Sequence, residues 1–363
     1  MAERLSVAGP DEVLFVGTPE GLEARLVPEA GVAFVGLPAS GFDRSRPWTL
    51  LTSALQIAIS TLRAYRLLGR VRPDGVIGFG GYVSIPVGLA ACLRRVPLVL
   101  HEQNAVPGLA NRALSRWAGA VAATYDSSVP LFRHPDRVTV TGNPVRPAVL
   151  SAERTAGRDG LGLSVDSTVL VIFGGSRGAR HLNEAAVRAA PDVLAAPNVE
   201  VVHVAGRAEA ESVRAQVAQV AGDTGRWRVH DYIDDMGAAL AAADLVVARA
   251  GATSIAEITV LGRPAVLVPY PYATDDHQTK NALAMVGAGA AILIADSELD
   301  GLRFRDTLLA LLGDAERRAT MAAASKALGH PNAADDVVEL ARRRAQDRSR
   351  RLRSPEVPDS FGS

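Results

Sequence analysis

Val169-Leu170-Val171-Ile172-Phe173-Gly174-Gly175-Ser176-Arg177-Gly178-Ala179-Arg180 is a short apolar run that breaks into glycine and then opens a helical pattern continuing through Leu182 and Val187. An apolar run of this length closed by glycine reads as a strand, and a tight turn from strand into helix is how a parallel α/β sheet proceeds. Glycine at such a turn lets backbone N–H groups approach an anion, and the start of a helix favours negative charge. Tight strand-to-helix turns also select glycine for geometry alone, so this loop by itself does not decide between the two.

Downstream of this stretch, strands are expected at Val199 to Val204, Trp227 to His230, Leu245 to Ala248, Ala265 to Val268 and Ala291 to Ile294. Upstream they are expected at Val13 to Val16, Gly75 to Phe79, Leu98 to His101, Ala120 to Thr124 and Val138 to Thr141, with helices near Thr49 to Leu68, Ser84 to Arg94 and Leu109 to Trp117. The alternation predicts an α/β protein of two Rossmann-like, doubly wound, parallel-sheet domains with a cleft between them. The pattern weakens after Gly142-Asn143-Pro144, which places the first domain at residues 1–145 and the second at 146–340. Residues 341–363 carry Arg342, Arg343, Arg344, Arg348, Arg350, Arg351 and Arg353 and read as a mobile, solvated tail, with weak attraction to anionic lipid as the functional alternative. The first domain looks incomplete at its start. A doubly wound domain opens with a strand and a tight glycine turn, whereas here a short polar stretch leads from Met1 directly to Val13.

The 363 residues are 48% hydrophobic and 21% charged, a globular composition, and the formal net charge of +0 supplies no field to attract nucleic acid. An anionic substrate must therefore be met by local groups. The single cysteine, Cys92, excludes an internal disulfide and sits in an apolar run as a structural thiol; the cytoplasm is the expected compartment. No apolar run approaches the ~20 residues of a membrane span and no signal-peptide pattern opens the chain, so membrane contact is expected to be peripheral.

Arg249-Ala250-Gly251-Ala252-Thr253-Ser254-Ile255-Ala256-Glu257 repeats the strand-to-helix turn, with Thr253 or Ser254 as the helix cap. Glu257 falls one turn above the cap on the same face, where a carboxylate can accept from both hydroxyls of a ribose or simply stabilise the helix dipole. Asp275-Asp276-His277-Gln278 gathers polar groups at another strand's C-terminal end. His277 has no histidine partner at ligand spacing and the chain has no Asp-X-Asp pair, so metal-independent chemistry without a cofactor is expected. Gly78-Phe79-Gly80-Gly81-Tyr82 and His101-Glu102-Gln103-Asn104 also follow strands and mark Tyr82, His101 and Glu102 as acceptor-side candidates, beside structural readings of His101 and Tyr82. Trp48, Leu51, Leu55, Ile59 and Leu62, with Arg63, Tyr65, Arg66 and Arg70, form one helical stripe, read first as a core face and second as a surface lying on a bilayer.

Together with Gly80-Gly81-Tyr82-Val83-Ser84, Gly142-Asn143-Pro144-Val145-Arg146 and Tyr232-Ile233-Asp234-Asp235-Met236, these segments resemble the MurG family from about Val13 to near Leu340. The resemblance implies the GT-B fold, an acceptor domain followed by a domain binding UDP-N-acetylglucosamine, and inverting transfer of the sugar to lipid I to give lipid II for peptidoglycan. It implies a uracil contact at Ile233, diphosphate contacts through Ala252, Thr253 and Ser254, further substrate-binding positions at Ile255 and Ala256, the ribose at Glu257, and sugar hydroxyls at Gln278. Ser176 and Arg146 touch the donor, and Asn104 borders the meeting point of the substrates. Implied partners are UDP-N-acetylglucosamine, lipid I, the cytoplasmic face of the membrane and other cell-wall synthesis proteins, and no nucleic acid.

Family members begin with a strand and a glycine-rich loop ending in a histidine, taken as the base; Met1 aligns inside the helix that follows. The expectation is therefore a start assigned too late, or a truncated chain that turns over poorly, and the catalytic residue is left unassigned. Alternatives are a silent UDP-N-acetylglucosamine binder and another GT-B enzyme such as a 2-epimerase. A nicotinamide oxidoreductase is disfavoured because neither glycine turn is a full G-x-G-x-x-G followed by its acidic residue.

Overall fold

The computed structural model describes residues 12–38, 49–175, 179–222 and 225–353. They fall into two compact units, the first within residues 1–103, 107–141 and 332–363 and the second within 104–106 and 142–331.

In the first unit, β1 (Leu14–Gly17) pairs in parallel with β2 (Ala33–Gly36), while β3 (Val76–Gly78), β4 (Leu98–Glu102), β5 (Ala120–Ala123) and β6 (Val138–Val140) form a separate parallel sheet in that order. The sequence predicts one doubly wound sheet here, and the described residues form two. β2 has no counterpart among the expected strands: four residues between glycines are too few to show a period, and pairing with β1, with Phe15 stacked on Phe34 at 6.2 Å, defines it. Val16 of β1 and Val76 of β3 nonetheless pack on one cluster, Leu37, Ala64, Leu68, Ala90, Ala91 and Val96.

The helix Thr49–Val71 buries Ser60, Ala64 and Leu68, with Ser60 Oγ donating to Pro38 O at 2.6 Å. The stripe read as a core face faces outward instead: Leu55 is 63% exposed, Ile59 45% and Leu62 50%. Trp48 lies outside the described residues. Small residues on the buried stripe let the helix dock closely on Ser84–Leu93, so the larger apolar side chains are left on the far side.

The C-terminal stretch read as a tail from residue 341 is helical as far as Arg353, in a helix Ala333–Arg353 packed on β4 and β5 of the first unit. Ala333, Ala334, Val337 and Val338 make its buried stripe, and the arginines sit on its outer turns, where Arg343 pairs with Glu339 at 2.7 Å. The basic run disguised an amphipathic helix.

The second unit is one parallel sheet of β7 (Thr168–Phe173), β8 (Val199–Val204), β9 (Trp227–His230), β10 (Leu245–Ala248), β11 (Ala265–Leu267) and β12 (Ala291–Leu293), in spatial order β12-β11-β10-β7-β8-β9. All of β7 is buried, because helices cover both faces of the sheet, with one apolar cluster on each side. Strand order reverses between β7 and β10, and the crevice outside the C-terminal ends of strands at such a switch point is where open α/β sheets bind ligands.

Val337→Ala should lower stability by roughly 2 kcal/mol by opening a cavity under the C-terminal helix. Thermal melting and hydrogen exchange at β4 and β5 measure it; an unchanged melt would mean that the helix does not pack on that sheet.

Candidate active site

Gly251, with φ −67° and ψ 144°, caps the helix Ala252–Leu261, and Ile255 N–H donates to its carbonyl at 3.0 Å. The expected cap at Thr253 or Ser254 is thus corrected: those residues occupy the helix's first turn. Their N–H groups and that of Ala252 have no acceptor within the helix and lie at its electropositive end. The helix is buried on nearly every side. Ile255 and Ala256, expected among the substrate-binding residues, are sealed in the apolar interior, whereas Ala252, Thr253 and Ser254 reach the surface.

Glu257 is only 6% exposed, and Arg146 reaches it with Nη2 to Oε1 at 3.2 Å. Burial pushes its carboxyl above the ordinary value, and the Arg146 charge opposes that shift without cancelling it. Arg146 is held there by its neighbours: Val145 and Val149 pack with Ala256 and Val260, tying the segment after Pro144 to the Ala252 helix. The preceding turn needs Gly142, at φ +80°, since a Cβ there would lie 2.2 Å from that of His330.

Gln278 is in the first turn of the helix His277–Gly287, its Oε1 accepting the Tyr270 N–H at 2.9 Å. Asp275 and Asp276 before it hold φ of 52° and 54°, a left-handed pair in non-glycine residues that is seen where surrounding structure enforces it. Ile233 packs against the apolar interior just ahead of the helix Met236–Ala242, which Asp235 caps through a bond from Ala238 N–H at 3.0 Å. Ser176 lies outside the described residues. Asn104 falls in the second unit, where Asn281 Nδ2 donates to its Oδ1 at 3.1 Å.

Asn281 was not singled out in the sequence. Fully buried, it also accepts the Ala105 N–H at 2.8 Å and approaches Ala250 O at 3.4 Å, so one amide joins Asn104 to the residue preceding the Gly251 cap. The available signal was an asparagine one turn after Gln278 amid apolar helix positions.

In the first unit Tyr82 is 55% exposed and follows Gly80 and Gly81, both at positive φ. His101 and Glu102 are buried. Phe79 packs on the His101 ring at 5.7 Å, and the Glu102 carboxylate accepts from Asn111 Nδ2 at 2.8 Å and Gly108 N–H at 3.0 Å. Glu102 thus anchors the turn into the helix Leu109–Leu114, and Tyr82 is the acceptor-side candidate with an open side chain. Among the described residues, no group of three His, Cys, Asp or Glu side chains is placed to hold a metal ion.

Comparison with known proteins bears on this geometry. The chain matches the glycosyltransferase family 28 N-terminal domain over residues 1–123 and the C-terminal domain of that family over 169–337. It is 42% identical over 345 residues to the UDP-N-acetylglucosamine–N-acetylmuramyl-(pentapeptide) pyrophosphoryl-undecaprenol N-acetylglucosamine transferase of Desulforudis audaxviator, covering 94% of this chain and 92% of the relative. It is 39% identical to the protein of the same name from Halothermothrix orenii, covering 91% and 90%. The crystal structure of Acinetobacter baumannii MurG superposes with a TM-score of 0.75 at 30% identity, covering 94% of this chain and 93% of that one. A UDP-GlcNAc 2-epimerase from Neisseria meningitidis, bound to UDP-GlcNAc, superposes at 0.64 with 15% identity over 92% and 91%, a likeness of fold alone.

Because the Glu257 carboxyl is raised in the folded state, its protonated form is the one the fold favours. That contribution is complete at low pH and is lost as pH rises through the raised value, so above it the ionised group costs stability. Glu257→Gln should therefore melt no lower than the parent at pH ~7.5, with any advantage fading as pH falls into the carboxylate range. A clear loss at neutral pH would show that the ion pair with Arg146 is net stabilising.

Proposed function

The chain belongs to the MurG family of UDP-N-acetylglucosamine transferases, and from that premise we propose that it moves N-acetylglucosamine from UDP to the 4-hydroxyl of the N-acetylmuramyl group of lipid I. The muramyl oxygen attacks the anomeric carbon from the face opposite UDP, the C–O bond to the β-phosphate breaks with its electron pair leaving on the phosphate, and configuration inverts. The reaction requires a base for the hydroxyl proton and stabilisation of the departing diphosphate. We assign the second need to the start of the Ala252 helix.

The observation that carries this reading is the open first turn at Ala252, Thr253 and Ser254, set at the switch point of the second sheet with buried Glu257 one turn further in. Three amides at a helix start can hold a diphosphate in place of a cation. We assign the ribose hydroxyls to Glu257, those of the sugar to Gln278, uracil to the Ile233 backbone, further donor contacts to Arg146 and Ser176, and the border where the two substrates meet to Asn104. Tyr82 is the proposed acceptor-side contact. The 2-epimerase alternative rests on fold likeness alone, and the silent-binder alternative predicts donor binding without transfer.

No helix among the described residues is long and apolar enough to cross a membrane. Exposed Leu55, Ile59 and Leu62, flanked by exposed Arg63, Arg66 and Arg70 and by Arg94 over the Tyr65 ring at 3.9 Å, support peripheral attachment to the anionic cytoplasmic surface that carries a polyprenyl acceptor.

Glu257→Ala should raise the KM for UDP-N-acetylglucosamine about tenfold or more, the loss expected for a charged hydrogen-bonding group, and saturating EDTA should leave transfer unchanged. Steady-state assays with lipid I decide both. An unmoved KM removes Glu257 from the ribose, and a requirement for a divalent ion removes the amides from their role. Leu55→Glu with Ile59→Glu should release the protein from phosphatidylglycerol vesicles in co-sedimentation; full retention would place the membrane contact elsewhere.

A further inference from the structure

Three charged side chains outside the set used above link the helix that follows β7 to the turn that follows β10. His181, in the first turn of the helix Arg180–Ala195, has Nδ1 2.8 Å from Asp296 Oδ2 and Nε2 3.1 Å from Asp300 Oδ1. The other Asp296 oxygen lies 2.5 Å from Nη1 of Arg249, which is 8% exposed. Arg249 also donates to the carbonyls of Val268 at 3.3 Å and Pro269 at 3.1 Å, and its guanidinium stands 5.8 Å from the Tyr270 ring. The network therefore joins segments following four adjacent strands, β7, β10, β11 and β12. Arg249 is separated from the Gly251 helix cap by Ala250 alone.

Both imidazole nitrogens face carboxylate oxygens. A neutral imidazole has one N–H and would turn a lone pair toward one of them; only the imidazolium donates to both. The direction of the shifts agrees, since the bonds to Asp296 and Asp300 hold the His181 pKa above its usual value and His181 with Arg249 holds Asp296 below its own against burial. The surrounding charges are accounted for. On the same helix Arg188 donates to Asp300 Oδ1 at 3.0 Å and Leu299 O at 3.1 Å, and Arg180 pairs with Glu184. From the neighbouring helix Leu302–Gly313, Arg305 faces Asp192, and Glu298 pairs with Arg303. Once His181 loses its proton, Asp300 retains Arg188 and Asp296 retains Arg249, and what is lost is the tie from the Arg180 helix.

We propose that protonated His181, acting through Asp296 and Arg249, is a positioning residue that holds the Gly251–Ala252 turn in its diphosphate-binding arrangement, so that donor affinity falls as this histidine deprotonates. The proposal rests on the donor site assigned above. By reciprocity, a ligand that prefers the protonated state must in turn raise the His181 midpoint.

The test is an NMR titration of the histidine rings in the intact protein, with and without UDP-N-acetylglucosamine, the His181 signal being assigned with His181→Gln. The diphosphate of this probe is esterified at both ends and does not titrate near neutrality. Calorimetry with the same ligand across that range completes it. The ligand should move the His181 midpoint upward, and affinity should weaken about fivefold or more through the titration. His181→Gln should abolish that dependence, and Asp300→Asn, which removes one facing carboxylate, should move midpoint and affinity loss together to lower pH, a displacement that simple loss of packing does not produce. Tight binding with an unmoved midpoint, or a His181→Gln protein that keeps the same pH dependence, overturns the proposal. Absence of binding at every pH overturns the donor site itself and this linkage with it.

Discussion

The parallel pairing of β7 with β10, Leu170 to Phe173 against Leu245 to Ala248, is the constraint on which the second unit depends. It brings together strands separated by some seventy residues of intervening chain, and the chain turns outward in opposite directions from it. The crevice outside the strand ends at such a reversal is where open α/β sheets bind ligands, and the Ala252 helix starts from the end of β10. Both strands are buried on both faces, so a shift in registry would have to repack the apolar clusters on both sides of the sheet.

Electrostatics at that opening follow from burial. A chain with no net charge must meet an anion by local groups, and the Ala252 helix, wrapped in apolar contacts beyond its first turn, offers its opening amides for that. The same apolar wrapping makes Glu257 costly in its ionised form. Arg146 offsets part of that cost, and the apolar contacts of Val145 and Val149 keep Arg146 within reach. A buried carboxylate whose ionised form is disfavoured by its surroundings is a cost that a protein bears where the position serves more than stability.

The first unit obeys a different balance. Its buried surface is built largely from small residues: Ala120 to Ala123 form a strand although alanine favours helices, and Ser60 and Ala64 form the seat of the longest helix in that unit. Packing overrides propensity here, because small side chains let neighbouring elements approach closely. The larger apolar groups Leu55, Ile59 and Leu62 are consequently outside, so the stripe read first as a core face is exposed.

The strands from β3 onward, their parallel character and the glycine turns were legible because they rest on local signals: a short apolar run, a glycine, a helical period. Val199 to Val204 and Trp227 to His230 coincide with their sequence expectations for that reason. β2, the division of the first unit into two sheets, the helical course of residues 341–353 and the Asn281 and Arg249 contacts were not legible, because each is defined by a partner far along the chain. The sequence alone determined which segments could be strand, helix or anion-facing turn, since those depend on the chemistry of neighbouring residues. Only the tertiary structure decided which apolar stripe is buried, which helix cap is used and which charges meet, because burial and pairing are properties of surfaces brought together from distant positions.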